Sequence, residues 1–107
     1  MITIDQLSID PKKTSESVTE FIQKTIKTSG LNGAIVAVRG GIDLATTLAA
    51  TTRALGPEKV TALTLSERDI TPNGDVDDMM RLCETVGVTC EHVEITPMLR
   101  VMRENIL

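Results

Sequence analysis

The sequence predicts an α/β protein: a parallel sheet of three strands in the order 3-2-1, flanked by helices on both faces. Three observations predict it. Short apolar runs alternate with stretches whose apolar residues recur at helical spacing. The links between them are short and carry Gly or Pro. Strand, helix and strand in repeated succession give parallel strands joined by right-handed crossovers.

Each element has its own local signal. Asp10 can cap a first helix, with Pro11 at its first position. Val18, Phe21, Ile22, Thr25 and Ile26 then give that helix one apolar face, and Ser29-Gly30 ends it. Ala34 to Val38 is an unbroken apolar run too short for a helix. Such a run suits a parallel strand buried on both faces. Arg39-Gly40-Gly41 breaks it. A helix follows over Ile42 to Leu55, with Ala45, Leu48, Ala49, Thr52 and Leu55 on one stripe, and Gly56-Pro57 stops it. Val60 to Leu65 reads as the second strand. Ser66 to Gly74 is a polar loop closing in the turn pair Asn73-Gly74. Asp75 then caps a helix that reaches Val86, with Gly87 at its end. Val88 to Ile95 is the third strand, half exposed because it carries Glu91, His92 and Glu94. Thr96-Pro97 opens a last helix that runs to Asn105. On this reading residues 1–107 form one small domain: a helical segment over 1–30 and a βαβαβα unit over 31–107.

Composition excludes several functions. The chain of 107 residues has one aromatic residue, Phe21, so no aromatic platform exists on which bases could stack. Its formal net charge of −4 opposes binding to a phosphate backbone. No nucleic-acid partner is expected. No apolar run approaches the ~20 residues that span a bilayer, and the start MITIDQLSID lacks the basic and apolar regions of a signal peptide. No membrane partner and a cytoplasmic location are therefore expected. Cys83 and Cys90 form neither a CxxC motif nor a Cys/His cluster, so two reduced, buried thiols are expected. His92 stands alone and reads as a solvated or satisfied side chain.

The informative segment is Val38-Arg39-Gly40-Gly41-Ile42-Asp43-Leu44, which runs from strand through a glycine loop into a helix N-terminus. Such a loop presents backbone N–H groups beside the positive end of a helix dipole, where a phosphate can be held. Two glycines here equally serve as a tight connection. The segment matches neither GxGxxG nor GxxxxGK[ST]. Asp43 at the helix start equally compensates the dipole.

With GAIVAV before it and ATTLAATTRALG after it, and with TALTLSERDITPNGDVDDMMRLCETVGVTCEHVEI from Thr61 to Ile95, the segment resembles the N-terminal part of the ammonia-dependent NAD synthetases. These belong to the N-type ATP pyrophosphatase group. The resemblance implies a Rossmann-like, three-layer fold of the adenine nucleotide alpha hydrolase kind, truncated here. It also implies ATP and Mg²⁺ as cofactors, neither of them needed for folding. The family's phosphate signature has the form Ser-Gly-Gly-x-Asp-Ser. It stands here as Arg39-Gly40-Gly41-Ile42-Asp43-Leu44, so both serines are replaced. A hydrogen bond to a charged group is worth roughly 1.5–3 kcal/mol. Loss of two would weaken phosphate binding by on the order of 10²–10⁴-fold, if the losses added. Arg39 could offset this by a bidentate phosphate contact. The resemblance further implies that Asp43 helps hold Mg²⁺ and that the backbone of Leu65 and Ser66 lies against adenine. Glu67, Arg68 and Asp69 read as a solvated loop.

The resemblance implies ATP-dependent amidation of deamido-NAD for the family. This chain is expected to be the ATP-binding half, with no catalytic residues of its own and no activity alone, because family members continue well beyond it. A first strand made of Ala34, Ile35, Val36, Ala37 and Val38 then lies at a sheet edge with the composition of a central strand. An apolar edge invites pairing. The expected partner is a second copy, joined through the two first strands in antiparallel fashion or by helix exchange. A homodimerising structural module without nucleotide function is the alternative.

Overall fold

The structure, a computed structural model, describes residues 1–39 and 41–106. The elements in chain order are helix α1 (Ile4–Leu7), helix α2 (Pro11–Ser29), strand β1 (Ala34–Val38), helix α3 (Ile42–Leu55), a 3₁₀ turn (Pro57–Lys59), strand β2 (Val60–Ser66), helix α4 (Asn73–Val86), strand β3 (Thr89–Glu94) and helix α5 (Thr96–Ile106). β2 lies between β1 and β3, and all pairing is parallel. The expected order 3-2-1, with helices on both sides of the sheet, is what the chain adopts.

The helix ends follow the local chemistry closely. The Asp10 carboxylate accepts from the backbone N–H groups of Lys12 and Lys13 at 3.0 and 3.3 Å, with Pro11 at the first helical position. Gly30 and Gly87 close α2 and α4 in the left-handed conformation that a Cβ disfavours. α4 departs from expectation. It starts at Asn73 rather than after Gly74, its cap is Pro72, and no side chain caps it. Asp75 lies inside the first turn, with its N–H bonded to the Pro72 carbonyl. Neither α1 nor the 3₁₀ turn is expected from apolar spacing, because neither buries a residue.

The core is aliphatic and lies on one face of the sheet. Successive strand residues point to opposite faces, so Val36, Val38, Val60 and Ala62 share a face. They meet Leu48 of α3 with Met79 and Cys83 of α4. On α3 the buried positions are Leu48, Thr51, Thr52 and Ala54, whereas Ala49, expected on the stripe, is exposed. The hydroxyls of Thr51 and Thr52 donate to carbonyls one turn back, at 2.8 and 2.7 Å, which is how polar side chains fit there.

β1 is not buried on both faces. Val36 and Val38 are buried, but Ile35 is 72% exposed and Ala37 is also exposed. The edge of β1 away from β2 has no partner strand among the described residues. α2 packs on α3, and Gln23 Nε2 donates to the Ala54 carbonyl at 2.9 Å. Only part of its apolar face is covered: Ile22 and Ile26 are half-buried, while Val18 and Phe21 are exposed. An apolar groove therefore runs along β1, with walls from Phe21, Ile22, Ile35 and Leu44.

Candidate functional site at the strand ends

The C-terminal ends of β1 and β2 open into a cleft of about 270 Å³, lined by Arg39, Leu44, Leu65, Ser66, Glu67 and Thr71 among others. Beside it, over β2 and β3, lies a larger cavity of about 590 Å³ that shares Ser66, Glu67, Ile70 and Thr71 with the cleft. In open parallel sheets this end of the strands is where ligands bind.

Arg39 follows β1 directly and is exposed. Gly40 lies outside the described residues. Gly41 is the N-cap of α3 with φ 152° and ψ 148°. A Cβ placed there would meet nothing within 4 Å, so the backbone is open to a close approach. Asp43 sits exposed in the first turn of α3. Leu44 is half-buried and belongs to both the cleft and the apolar groove beside β1. It thus acts first as a packing residue.

Leu65 and Ser66 are the last residues of β2, beyond the final β1 partner pair Val38 and Thr64. The Ser66 carbonyl accepts from the Ile95 N–H at 2.8 Å, toward β3. Successive strand residues offer their backbone groups to opposite edges, so the groups left facing the cleft at this level are those of Leu65.

The loop after β2 is tied down by contacts that sequence spacing does not reveal. Ser66 Oγ and His92 Nε2 are hydrogen-bonded at 2.7 Å across 26 residues of chain. The Glu67 N–H donates to Thr71 Oγ1 at 2.9 Å. The Arg68 N–H donates to Thr96 Oγ1 at 2.8 Å and to Glu94 Oε1 at 3.2 Å. Thr96 Oγ1 also donates to Glu94 Oε1. That bond, with those from the Thr96 and Arg68 N–H groups, holds the Glu94 carboxyl below the usual carboxylate range. Arg103 of α5 reaches Glu67 at 3.0 Å. Glu67 and Arg68, expected in a solvated loop, thus anchor that loop to β3 and α5. Parallel pairing puts Thr64 beside His92 and Ser66 beside Glu94. Only that register brings these groups together. Among the described residues no cluster of three His, Cys, Asp or Glu could hold a metal by itself. Cys83 and Cys90 are free thiols, and burial with the adjacent Cys90 pushes Cys83 up to about 11.

A three-stranded parallel sheet with a glycine-bearing strand–helix junction and a cleft at its strand ends is the architecture of Rossmann-like α/β proteins. The comparisons make this more specific. The model of the NAD synthase family matches residues 14–107, and the chain belongs to that family. It is similar to the NH(3)-dependent NAD(+) synthetase of Hyperthermus butylicus, 38% identical over 97 residues, which are 90% of this chain and 35% of the relative. Among solved structures it is similar to the NH3-dependent NAD synthetase of Campylobacter jejuni in complex with the nitrate ion. The TM-score is 0.81 at 28% identity, covering 94% of this chain and 43% of that one. A glutamine-dependent NAD+ synthetase from Acinetobacter baumannii, in complex with ADP, gives a TM-score of 0.78 at 28% identity, over 84% of this chain and 17% of that one. The chain thus spans about a third of the length of the curated relatives it matches. Among the described residues no helix is long and apolar enough to cross a membrane.

Proposed function

We propose that this chain supplies the ATP-binding portion of an ammonia-dependent NAD synthetase, which amidates deamido-NAD at the expense of ATP. The observation that carries the reading is the junction of β1 and α3. Gly41 leaves its backbone open to a phosphate at the N-terminus of α3, and a cleft lined by the flanking Arg39 and Leu44 reaches the end of β2. Family membership and the ADP complex of the similar Acinetobacter enzyme support an adenine nucleotide as the ligand. The phosphates would lie on the Arg39–Leu44 loop and the base against the Leu65 backbone. One carboxylate, Asp43, together with phosphate oxygens is a donor set that suits Mg²⁺. The ion, when bound, neutralises phosphate charge. Asp43 would hold it, and Arg39, which has no ion-pair partner among the described residues, would contact a phosphate.

Arg39 and Leu44 replace the two signature serines, and Leu44 has no hydrogen bond to offer. Binding by these 107 residues is therefore weak, and they do not catalyse amidation by themselves. Calorimetry with ATP and Mg²⁺ tests this on the chain and on the double variant Arg39→Ser, Leu44→Ser. We expect measurable binding that tightens in the double variant by up to about 100-fold. Absence of binding in both overturns the nucleotide reading.

The exposed edge of β1 favours a second reading, a self-associating module. Two copies would pair their β1 strands antiparallel across a two-fold axis, or exchange a helix. The uncharged run Ala34–Val38 would then lie inside a six-stranded sheet. ATP binding found only after restoring both serines would favour this reading. Light scattering on eluted protein tests it directly, and a folded monomer at micromolar concentration overturns it.

A further inference from the structure

Two thiols meet in the core, away from the strand-end cleft and with no part in the nucleotide reading. Cys83 lies on α4 and is 1% exposed. Cys90 lies on β3, half-buried and packed against the same aliphatic cluster. The turn between them brings them together. The Cys83 carbonyl accepts from the N–H groups of Gly87 and Val88 at 2.8 and 3.0 Å. Gly87, at φ 86°, takes the left-handed conformation that reverses the chain directly after α4. β3 then runs back against the sheet, and Cys90 pairs with Ala62 of β2. Paired residues of neighbouring strands share a face, and Ala62 is fully buried on the face that Met79 and Cys83 of α4 cover. Both sulfurs thus belong to one interface, between α4 and the sheet. Burial first, and then the neighbouring Cys90 thiol, push Cys83 up to about 11.

We propose that Cys83 and Cys90 form a reversible redox clasp, in which exchange with a small disulfide joins them and ties the end of α4 to β3. Cys90 is the entry point, because it is the more accessible of the two. The thiolate is the attacking form, and Cys83 keeps its proton at neutral pH. The Cys90 thiolate attacks one sulfur of the small disulfide. That S–S bond breaks, and one small thiol leaves. The Cys83 sulfur then attacks the Cys90 sulfur of the mixed disulfide, and the second small thiol departs with the Cys83 proton. Two electrons pass from the cysteine pair to the small disulfide, and the two cysteine protons end on the two released thiols. The new bond closes a short loop and so removes conformations from the unfolded chain.

The test equilibrates the chain with reduced and oxidised glutathione, once folded in buffer and once unfolded in concentrated urea. Alkylation then caps the remaining thiols, and mass spectrometry counts them. The chain has no other cysteine, so the count is unambiguous. Trypsin leaves both cysteines on one peptide, Leu82–Arg100, and cleavage after Glu84 parts them unless they are bonded. We expect an internal bond, and a ratio of oxidised to reduced chain about tenfold higher in the folded protein than in urea. By linkage, that factor is also the one by which the bond favours the folded state. Equal or lower oxidation of the folded chain would show that the fold holds the sulfurs apart, and would overturn the proposal. So would chains linked in pairs in place of the internal bond. These readings use the unaltered chain and do not depend on how a variant folds. Two variants test the order of attack. Glutathione should accumulate on Cys90 in Cys83→Ala, and Cys83 should stay reduced in Cys90→Ser. Glutathione on Cys83 in the second variant would overturn the assignment of Cys90 as the entry point.

Discussion

The two sides of β1 follow different rules. Toward α3 and α4, Val36 and Val38 sit in a closed aliphatic core with Leu48, Ala62, Met79 and Cys83. On the opposite face and along its free edge, Ile35 is 72% exposed, and Phe21, the one aromatic residue, faces the same groove at 69%. Both sides are equally apolar in sequence. The difference is which neighbours the chain brings to each. The packed side holds the fold together, whereas the open side adds little to it and is available for contact.

Mutations should separate the two sides. Leu48 is fully buried, so Leu48→Ala should cost about 3 kcal/mol, as lost transfer energy plus a cavity. Urea unfolding measures it, and a cost below about 1 kcal/mol would mean that the core is not closed. Gly33 comes next. A Cβ there would run into the backbone carbonyl of Lys59, where β1 begins beside β2. Gly33→Ala should cost about 2 kcal/mol, and the same unfolding curves report it.

A smaller effect belongs to pH. Burial and the neighbouring Cys90 push the Cys83 thiol up to about 11, against 9.0 for an unperturbed thiol. Between these values the folded chain keeps a proton that the unfolded chain gives up. This contribution is therefore whole below pH 9 and is lost as the pH rises toward 11. Melting curves across that range should show the decline, and Cys83→Ala should flatten it. A decline unchanged in that variant would assign it to other groups. The smallest effect is expected on the open side. Ile35→Thr should change the stability of the monomer by no more than about 0.5 kcal/mol. A larger loss that grows with protein concentration would show that Ile35 is covered by a second copy.

Legibility in the sequence follows the range of the interactions. The Asp10-Pro11 start and the Gly30 end of α2 were readable, because a cap is chemistry within a few residues. The start of α4 was not. Asn73-Gly74 looks like a turn, yet the chain continues into helix there without a side-chain cap. Of the candidate site, the strand–glycine–helix junction and the end of β2 could be located from the apolar runs and glycines. Asp43 could be placed at a helix start, but the packing of Leu44 against both cleft and groove could not.

By itself, then, the sequence determined the parallel α/β order, the ends of α2 and α3 and the position of a glycine-bearing strand–helix loop. Each follows from local propensity, hydrophobic period or glycine conformation, which act over a few residues. The tertiary structure alone decided that Ser66 meets His92, that Glu94 and Thr96 hold the loop after β2, and that one side of β1 stays open. Those contacts depend on strand register and helix placement across tens of residues. A one-residue slip would turn every strand side chain to the other face. No local pattern encodes that choice, and the shared burial of the core side chains makes it.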